Sequence, residues 1–297
     1  NTQSATAYRG FGGPQGIVGI ERVIDHVAFE VGKDPSEVRK LNFYREMEGA
    51  GASGGDISAK MKVQTTPYHM PVEDFIGYGL VAELEKTSGY AARRGEIAAW
   101  NAKSPILKRG ISLVPVKFGI SFTLTWLNQA GALVHVYQDG SIALNHGGTE
   151  MGQGLHTKML AICAHELGVR EPQIRVMPTA TDKVPNTSAT AASSGSDLNG
   201  AAVQLACAEL RERLRPLAAE LIGASDPQRI CFADGRVFEP GGRETSFAEL
   251  TRAAWARRIG LSATGYYATP GIVYDREVGR GKPFHYFAYG AALTEVE

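Results

Sequence analysis

Cysteine is scarce in this 297-residue chain, and the three that occur, Cys163, Cys207 and Cys231, stand far apart with no Cys-x-x-Cys spacing. That argues against a disulfide framework or an iron–sulfur cluster held by these residues, and fits free thiols in a reducing cytoplasm. Net charge is lacking as well. Lys plus Arg and Asp plus Glu number 31 each, so no overall field draws the chain to nucleic acid or to an anionic membrane. Basic runs such as Arg211-Glu212-Arg213 alternate in sign and read as a solvated helix face. Long apolar runs are missing too, since none approaches the ~20 residues that span a bilayer. The chain opens without Met and without a charged-then-apolar leader, so it offers no targeting signal to read. A cytoplasmic protein is the expectation.

Glycine is in excess: 35 of 297 residues, against a usual share of about 7%. No collagen-like period is present, so the excess belongs to loops. The densest run is Tyr8-Arg9-Gly10-Phe11-Gly12-Gly13-Pro14-Gln15-Gly16. A loop of this kind entering a helix offers a guanidinium, a ring face and free backbone N–H groups at one point, which suits a planar or anionic ligand. A simple turn with Phe11 in the core is the competing reading.

Behind that loop, Ile17, Val18, Ile20, Val23, Ile24, Val27, Ala28 and Val31 recur at helical spacing, and Gly32 supplies a stop. Asp34-Pro35-Ser36-Glu37 then starts a short second helix. Residues 48–60 form a glycine-rich loop and the best domain boundary. Helices are predicted over 72–87 and 90–103. From Gly110 the period becomes strand-like through Ile120, and placing Phe118 and Phe122 in one strand puts both on one face. Asp139-Gly140 and Asp234-Gly235 each mark a hairpin, and Gln173–Met177 reads as a further strand. Helices are expected over Leu155–Leu167, stopped by Gly168, and from Asp197 to about Leu214, closed by Pro216. Strand, small-residue loop, helix recurs, which makes this an α/β or α+β protein.

Three small-residue loops thus lead into helix starts: 8–16, 146–154 and 187–196. Each helix start carries unsatisfied N–H groups and partial positive charge, and Gln153, Thr190, Ser193 and Ser196 add neutral hydrogen-bonding side chains. Together they suit a large, polar, anionic cofactor held mainly by backbone. None of the loops is a dinucleotide fingerprint or a phosphate-binding P-loop. Metal ligation by side chains is poorly served, because His156 and His165 are nine apart and face opposite sides of a helix. Ser188, Ser193 and Ser194 sit in no nucleophile elbow.

Five segments together carry a resemblance: Tyr8–Gly16, Phe118-Gly119-Ile120-Ser121-Phe122-Thr123, Leu127-Asn128-Gln129-Ala130-Gly131-Ala132, His146-Gly147-Gly148-Thr149-Glu150-Met151-Gly152-Gln153-Gly154 and Thr190-Ala191-Ala192-Ser193. In this order they resemble the molybdenum-binding portion of the xanthine dehydrogenases, within the xanthine oxidase family of molybdenum hydroxylases. The resemblance implies molybdopterin-binding domains incomplete at both ends. Residues 1–47 correspond to the C-terminal piece of a first molybdenum-cofactor-binding domain, 48–70 to a linker and 71–297 to most of a second. It further implies an oxidoreductase that converts hypoxanthine and xanthine to urate, by attack of a molybdenum-bound hydroxide and hydride transfer to a sulfido ligand. Electrons would leave through [2Fe-2S] clusters and FAD held in other domains or a partner subunit, in a homodimer or a dimer of heterodimers.

By matching position, Arg9 and Ala192 lie beside the molybdenum without ligating it. Gly152, Gln153, Thr190, Ala191 and Ser193 hold the pterin and its phosphate. Phe11 and Phe122 sandwich the purine, and Thr123 hydrogen-bonds it, so that the loops form walls of one pocket. The family's general-base glutamate belongs to a Gly-Glu-Pro motif that this sequence does not contain, and position 195 is Gly where some relatives carry Ser. An aldehyde oxidase-type hydroxylase, and an inactive segment or binding module, are the alternatives.

Overall fold

The computed structural model describes residues 9–10, 12–45, 64–184 and 186–297. Contacts divide the chain into two compact units, Asn1–Thr123 with Ile272–Glu297, and Leu124–Gly271. The expected linker falls largely on 48–63, outside the described residues, as does Phe11.

In the first unit, α1 (Gly13–Glu30) follows Gly12 in a left-handed conformation and ends at Gly32. There the Lys33 amide reaches back to Ala28 O at 2.9 Å and the Gly32 amide to Phe29 O at 3.2 Å. This closes the last turn and satisfies carbonyls that the helix leaves open. Helix α2 (Pro35–Leu41) has Asp34 as its N-cap, accepting the Ser36 amide at 2.7 Å. Its Arg39, only 4% exposed, clamps Glu21 and Asp25 of α1 at 2.5 and 2.6 Å. Helices α3 (Gly77–Ser88) and α4 (Tyr90–Lys103) turn at Gly89. The predicted helix over 72–87 starts later than its periodicity suggests, because the chain before it is extended: Thr65 bridges Pro71 and the Val72 amide bonds Gln64 O. Strand β1 (Gly110–Ile120) completes this stretch.

The second unit opens with the hairpin β2 (Gln129–Val136) and β3 (Ile142–His146) around Asp139-Gly140. Helix α5 (Leu155–Leu167) returns the chain to β4 (Ile174–Val176), which pairs parallel to β3. Next come the long α6 (Gly195–Ile222), the strands β5 (Cys231–Ala233), β6 (Arg236–Phe238) and β7 (Glu244–Ser246), and α7 (Phe247–Ala256). Strand β8 (Ser262–Ala268) then pairs with β2, giving a sheet ordered β4-β3-β2-β8, while β5, β6 and β7 form a small separate sheet. Back in the first unit, β9 (Val273–Asp275) and β10 (Arg280–Lys282) make a hairpin, and β11 (Tyr286–Val296) pairs antiparallel with β1 along its length.

The core of the second unit lies between this four-stranded sheet and α5 and α6. Val134, Leu144, Met159, Cys163, Cys207, Leu210 and Leu214 have no exposed surface. Gly265 of β8 shows how close the layers are: a Cβ there would lie 1.9 Å from the Ala202 carbonyl oxygen of α6. Two expectations change. Helix α6 does not close at Pro216 but runs through it to Ile222. Glu212, whose carbonyl loses its partner, and Pro216 are exposed, while Leu217, Ala218, Ala219 and Ile222 are buried. The orphan carbonyl belongs to an exposed residue, and the burial of four apolar residues outweighs a cost of about 3 kcal/mol. The second change is that β1 stops at Ile120, with Ser121 at φ 136, so Phe122 lies beyond the strand and the two-residue alternation from Phe118 does not reach it.

Candidate functional site

Two of the small-residue loops meet in the second unit. Residues 147–154 connect β3 to α5, and residues 186–194 lead into α6. The Thr149 amide donates to Thr190 Oγ1 at 2.8 Å, joining the loops across 41 residues of sequence. The second loop is tied to β2 by the Ser188 amide on Gln129 O and the Gly131 amide on Thr187 Oγ1. Close packing demands the small residues. A Cβ on Gly148 would fall 2.5 Å from Leu155 Cδ2 and 3.0 Å from Asn199 Nδ2.

Ala192 and Ser193 follow with φ of 53° and 57°, both in the left-handed region without being glycine. Their amides donate to nothing among the described residues, whereas the Ser194 amide closes onto Ala191 O. Thr190 and Ala192 are half-buried, and Ala191 and Ser193 are exposed. The result is a strained, accessible turn with backbone donors to spare. Such a turn suits a polar ligand held by backbone rather than by charged side chains.

The start of α5 departs from the expectation of an open anion site. Glu150 folds onto it, accepting the amides of Gly152 at 2.8 Å, Gly154 at 3.0 Å and His156 at 3.1 Å. These hydrogen bonds, the one from His156 first, hold the Glu150 carboxyl below the usual carboxylate range. Gln153 is also turned inward: its Oε1 accepts the Met151 amide and its Nε2 donates to Thr149 O. One amide hydrogen and one lone pair of Gln153 remain for a ligand. Sequence reasoning missed Glu150 as a capping group, although an acid two residues before a Gly-x-Gly helix start was its local signal.

Beneath the first loop lies a second unforeseen feature. His146, 2% exposed, accepts the Gly148 amide on Nδ1 at 3.1 Å. Its ring stands edge-on to that of His156, with centroids 5.0 Å apart, and the Nε2 atoms of both are buried without a partner among the described residues. Burial first, and the neighbouring His156 second, push the His146 imidazole down to about 4 from an ordinary 6.5. His165 is exposed on the other side of α5, as its spacing predicts. Among the described residues no group of three or more His, Cys, Asp and Glu is arranged to hold a metal.

The remaining site residues belong to the first unit. Arg9 is exposed with φ 31. A Cβ on Gly13 would meet the Phe118 ring at 2.5 Å, so the start of α1 is packed against the strand whose continuation carries Phe122 and Thr123. Ser121 turns that continuation, its Oγ accepting the His285 amide. Phe122 is half-buried and Thr123 exposed.

Small-residue loops run from a mixed sheet into two helix starts. The same architecture occurs in quinoline 2-oxidoreductase from Pseudomonas putida 86, with a TM-score of 0.76 at 23% identity over 98% of this chain and 36% of that one. It occurs also in the CO dehydrogenase of Oligotropha carboxidovorans, with a TM-score of 0.77 at 19% identity over 98% of this chain and 35% of that one. A family model described as a molybdopterin cofactor-binding domain matches residues 83–297, and another of the same description matches residues 1–43. The chain belongs to the molybdopterin cofactor-binding domain family. It is similar over its full length to the xanthine dehydrogenase/oxidase of Gallus gallus, at 42% identity over 297 residues. The xanthine dehydrogenase of Blastobotrys adeninivorans is 43% identical over 296 residues, or 99% of this chain. The chain spans 19% of the length of each of these curated relatives.

Proposed function

We propose that this chain is the segment of a xanthine dehydrogenase that holds molybdopterin and presents a purine to it, within a molybdenum hydroxylase that oxidises hypoxanthine and xanthine to urate. The observation that carries the reading is the junction of the two loops. There Thr190 receives the Thr149 amide, and Ala192 and Ser193 stand left-handed with backbone donors that find no partner among the described residues. The 42% identity to a xanthine dehydrogenase/oxidase across all 297 residues supports it. Residues 1–47 then belong to a first cofactor-binding domain and 71–297 to a second, with 48–70 linking them.

When bound, the molybdenum cofactor supplies oxygen transfer to an electron-poor ring carbon and takes up two electrons. The chain's residues do the holding. Gly152, Gln153, Thr190, Ala191 and Ser193 line the pterin and its phosphate: Gln153, Thr190 and Ser193 offer short neutral side chains and the Ser193 amide, while Gly152 and Ala191, whose amides go to Glu150 and Ala189 O, give it room. Ala192 leaves room beside the metal, and Arg9 adds a positive charge there. Phe11 and Phe122 take the face and the edge of the purine, the geometry that aromatic quadrupoles favour, and Thr123 hydrogen-bonds it. Glu150, bound to three amides at the start of α5, is a structural cap rather than a proton acceptor. Iron–sulfur clusters and FAD in other domains or a partner subunit would supply the path for the electrons.

In the full-length protein, Phe122→Ala and Phe11→Ala are each expected to lower kcat/KM for hypoxanthine about 10–100-fold. That corresponds to ~1–3 kcal/mol of base–aromatic stacking. Molybdenum content stays at the wild-type level. A fall in molybdenum in step with activity would move both rings from the substrate wall to the structural core. Turnover of an aromatic aldehyde with no purine oxidation would assign the site to the aldehyde oxidase type instead.

A further inference from the structure

We propose that His146 is the positioning residue of the first cofactor loop, clasping the Gly148 peptide through Nδ1 and able to do so only as the neutral imidazole that carries its proton on Nε2. The inference rests on the assignment of loops 147–154 and 187–194 to molybdopterin. Accepting the Gly148 amide requires a lone pair on Nδ1, which fixes the tautomer. Protonated on both nitrogens, the ring would set one N–H against another, and the clasp would open.

The clasp is the first link of a chain that reaches the strained turn. The Gly148 peptide is held at both ends, its N–H by His146 and its C=O by Thr179 Oγ1 at 3.2 Å. Leu155 and Asn199 close over its Cα. The next amide, that of Thr149, is the one bonded to Thr190, two residues before Ala192. The imidazole at the end of β3 therefore sets the height of the first loop, and through Thr149 the height of the second. The groups around it are chosen to keep the ring neutral. The titratable neighbour is His156 on α5, edge-on at 5.0 Å. Strand β2 sets Ala132 opposite it, α6 brings the Asn199 amide to Gly148, and the stretch after β4 brings the Thr179 hydroxyl. The Glu150 carboxylate is turned onto the α5 amides.

Two variants of the full-length protein separate this role from mere packing. His146→Phe fills the space without an acceptor, and His146→Asn places an oxygen near the Nδ1 position that accepts at any pH. Three readouts are taken: molybdenum and pterin content, the pH at which both are lost, and hydrogen exchange of the Gly148 amide in cofactor-free protein. His146→Phe is expected to cut molybdenum content at least tenfold and to speed Gly148 exchange at least tenfold. His146→Asn is expected to restore both and to keep its cofactor at acid pH where the wild type releases it. Wild-type loading and Gly148 protection in His146→Phe would overturn the proposal, as would acid release from His146→Asn at the wild-type pH. A Gly148 amide freed by His146→Phe in a protein that never carries pterin would sink the cofactor assignment and keep the clasp. Normal loading of His146→Phe in a protein whose second loop proves essential for molybdenum would do the reverse.

Discussion

Alanine and serine lack glycine's freedom at positive φ, so Ala192 and Ser193 each hold a conformation costing of order 1–3 kcal/mol. The surroundings that hold them there include Thr190, engaged by Thr149, and the Ser194 amide closing on Ala191 O. Strain of this kind persists where the structure around it is fixed, and His146 is part of that fixture. Its titration gives a prediction with a definite sign. With the folded imidazole near 4 and the unfolded one near 6.5, the unfolded chain binds the extra proton between those values. Stability from this residue is complete above pH 6.5 and declines as pH falls through 4, by about 3 kcal/mol in all. Denaturant unfolding of the full-length protein at pH 4.5 and 7 should therefore show a smaller pH effect in His146→Asn than in the wild type. Equal pH effects in the two proteins would remove His146 from the account.

Among the elements, α6 bears the heaviest load, since it packs on β2, β8 and α5 and presents its start to the strained turn. Two substitutions test how it is held. Pro216→Ala restores the amide that Glu212 lacks, on an exposed face where nothing else must move, and is expected to stabilise the protein by ~1–3 kcal/mol in thermal unfolding. Gly265→Ala drives a methyl into the Ala202 carbonyl and is expected to destabilise by about 3 kcal/mol or more. A neutral outcome for Gly265→Ala would mean that α6 and β8 are farther apart than described. These same residues mark the limits of what the sequence reveals. Elements with strong local signals, such as α1 with its Gly32 stop, α2 behind Asp34 and the Asp139-Gly140 hairpin, are legible from residue order alone. Pro216 misleads because its penalty is local while the burial of Leu217 and Ile222 that offsets it is tertiary. Strand β8 gives little pattern because a glycine faces α6, whereas α7 carries both the Ser246–Glu249 capping box and an apolar stripe of Phe247, Leu250 and Ala254. At the candidate site, loop composition picks out the two loops that meet. It cannot show that Glu150 already covers the start of α5, or that Thr149 and Thr190 join.

For the whole molecule, the chain spans 19% of its chicken relative's length, and the proposal gives it contacts to a cofactor and a purine. Its two units divide the assigned residues: Arg9, Phe122 and Thr123 in one, and Gly152, Gln153 and Thr190–Ser193 in the other. No helix among the described residues is long and apolar enough to cross a membrane. The central claim is that the left-handed turn at Ala192-Ser193 receives molybdopterin. Its most direct test is molybdenum and pterin analysis of the full-length protein, wild type beside Ser193→Pro. Proline cannot adopt a φ of 57° and removes one of the two amides without a partner among the described residues, while the exposed position spares the core. The account predicts about one molybdenum and one pterin per chain in the wild type, and less than a tenth of that in a Ser193→Pro protein that is still folded by circular dichroism. Full loading of Ser193→Pro, or a wild-type protein without pterin, would contradict it.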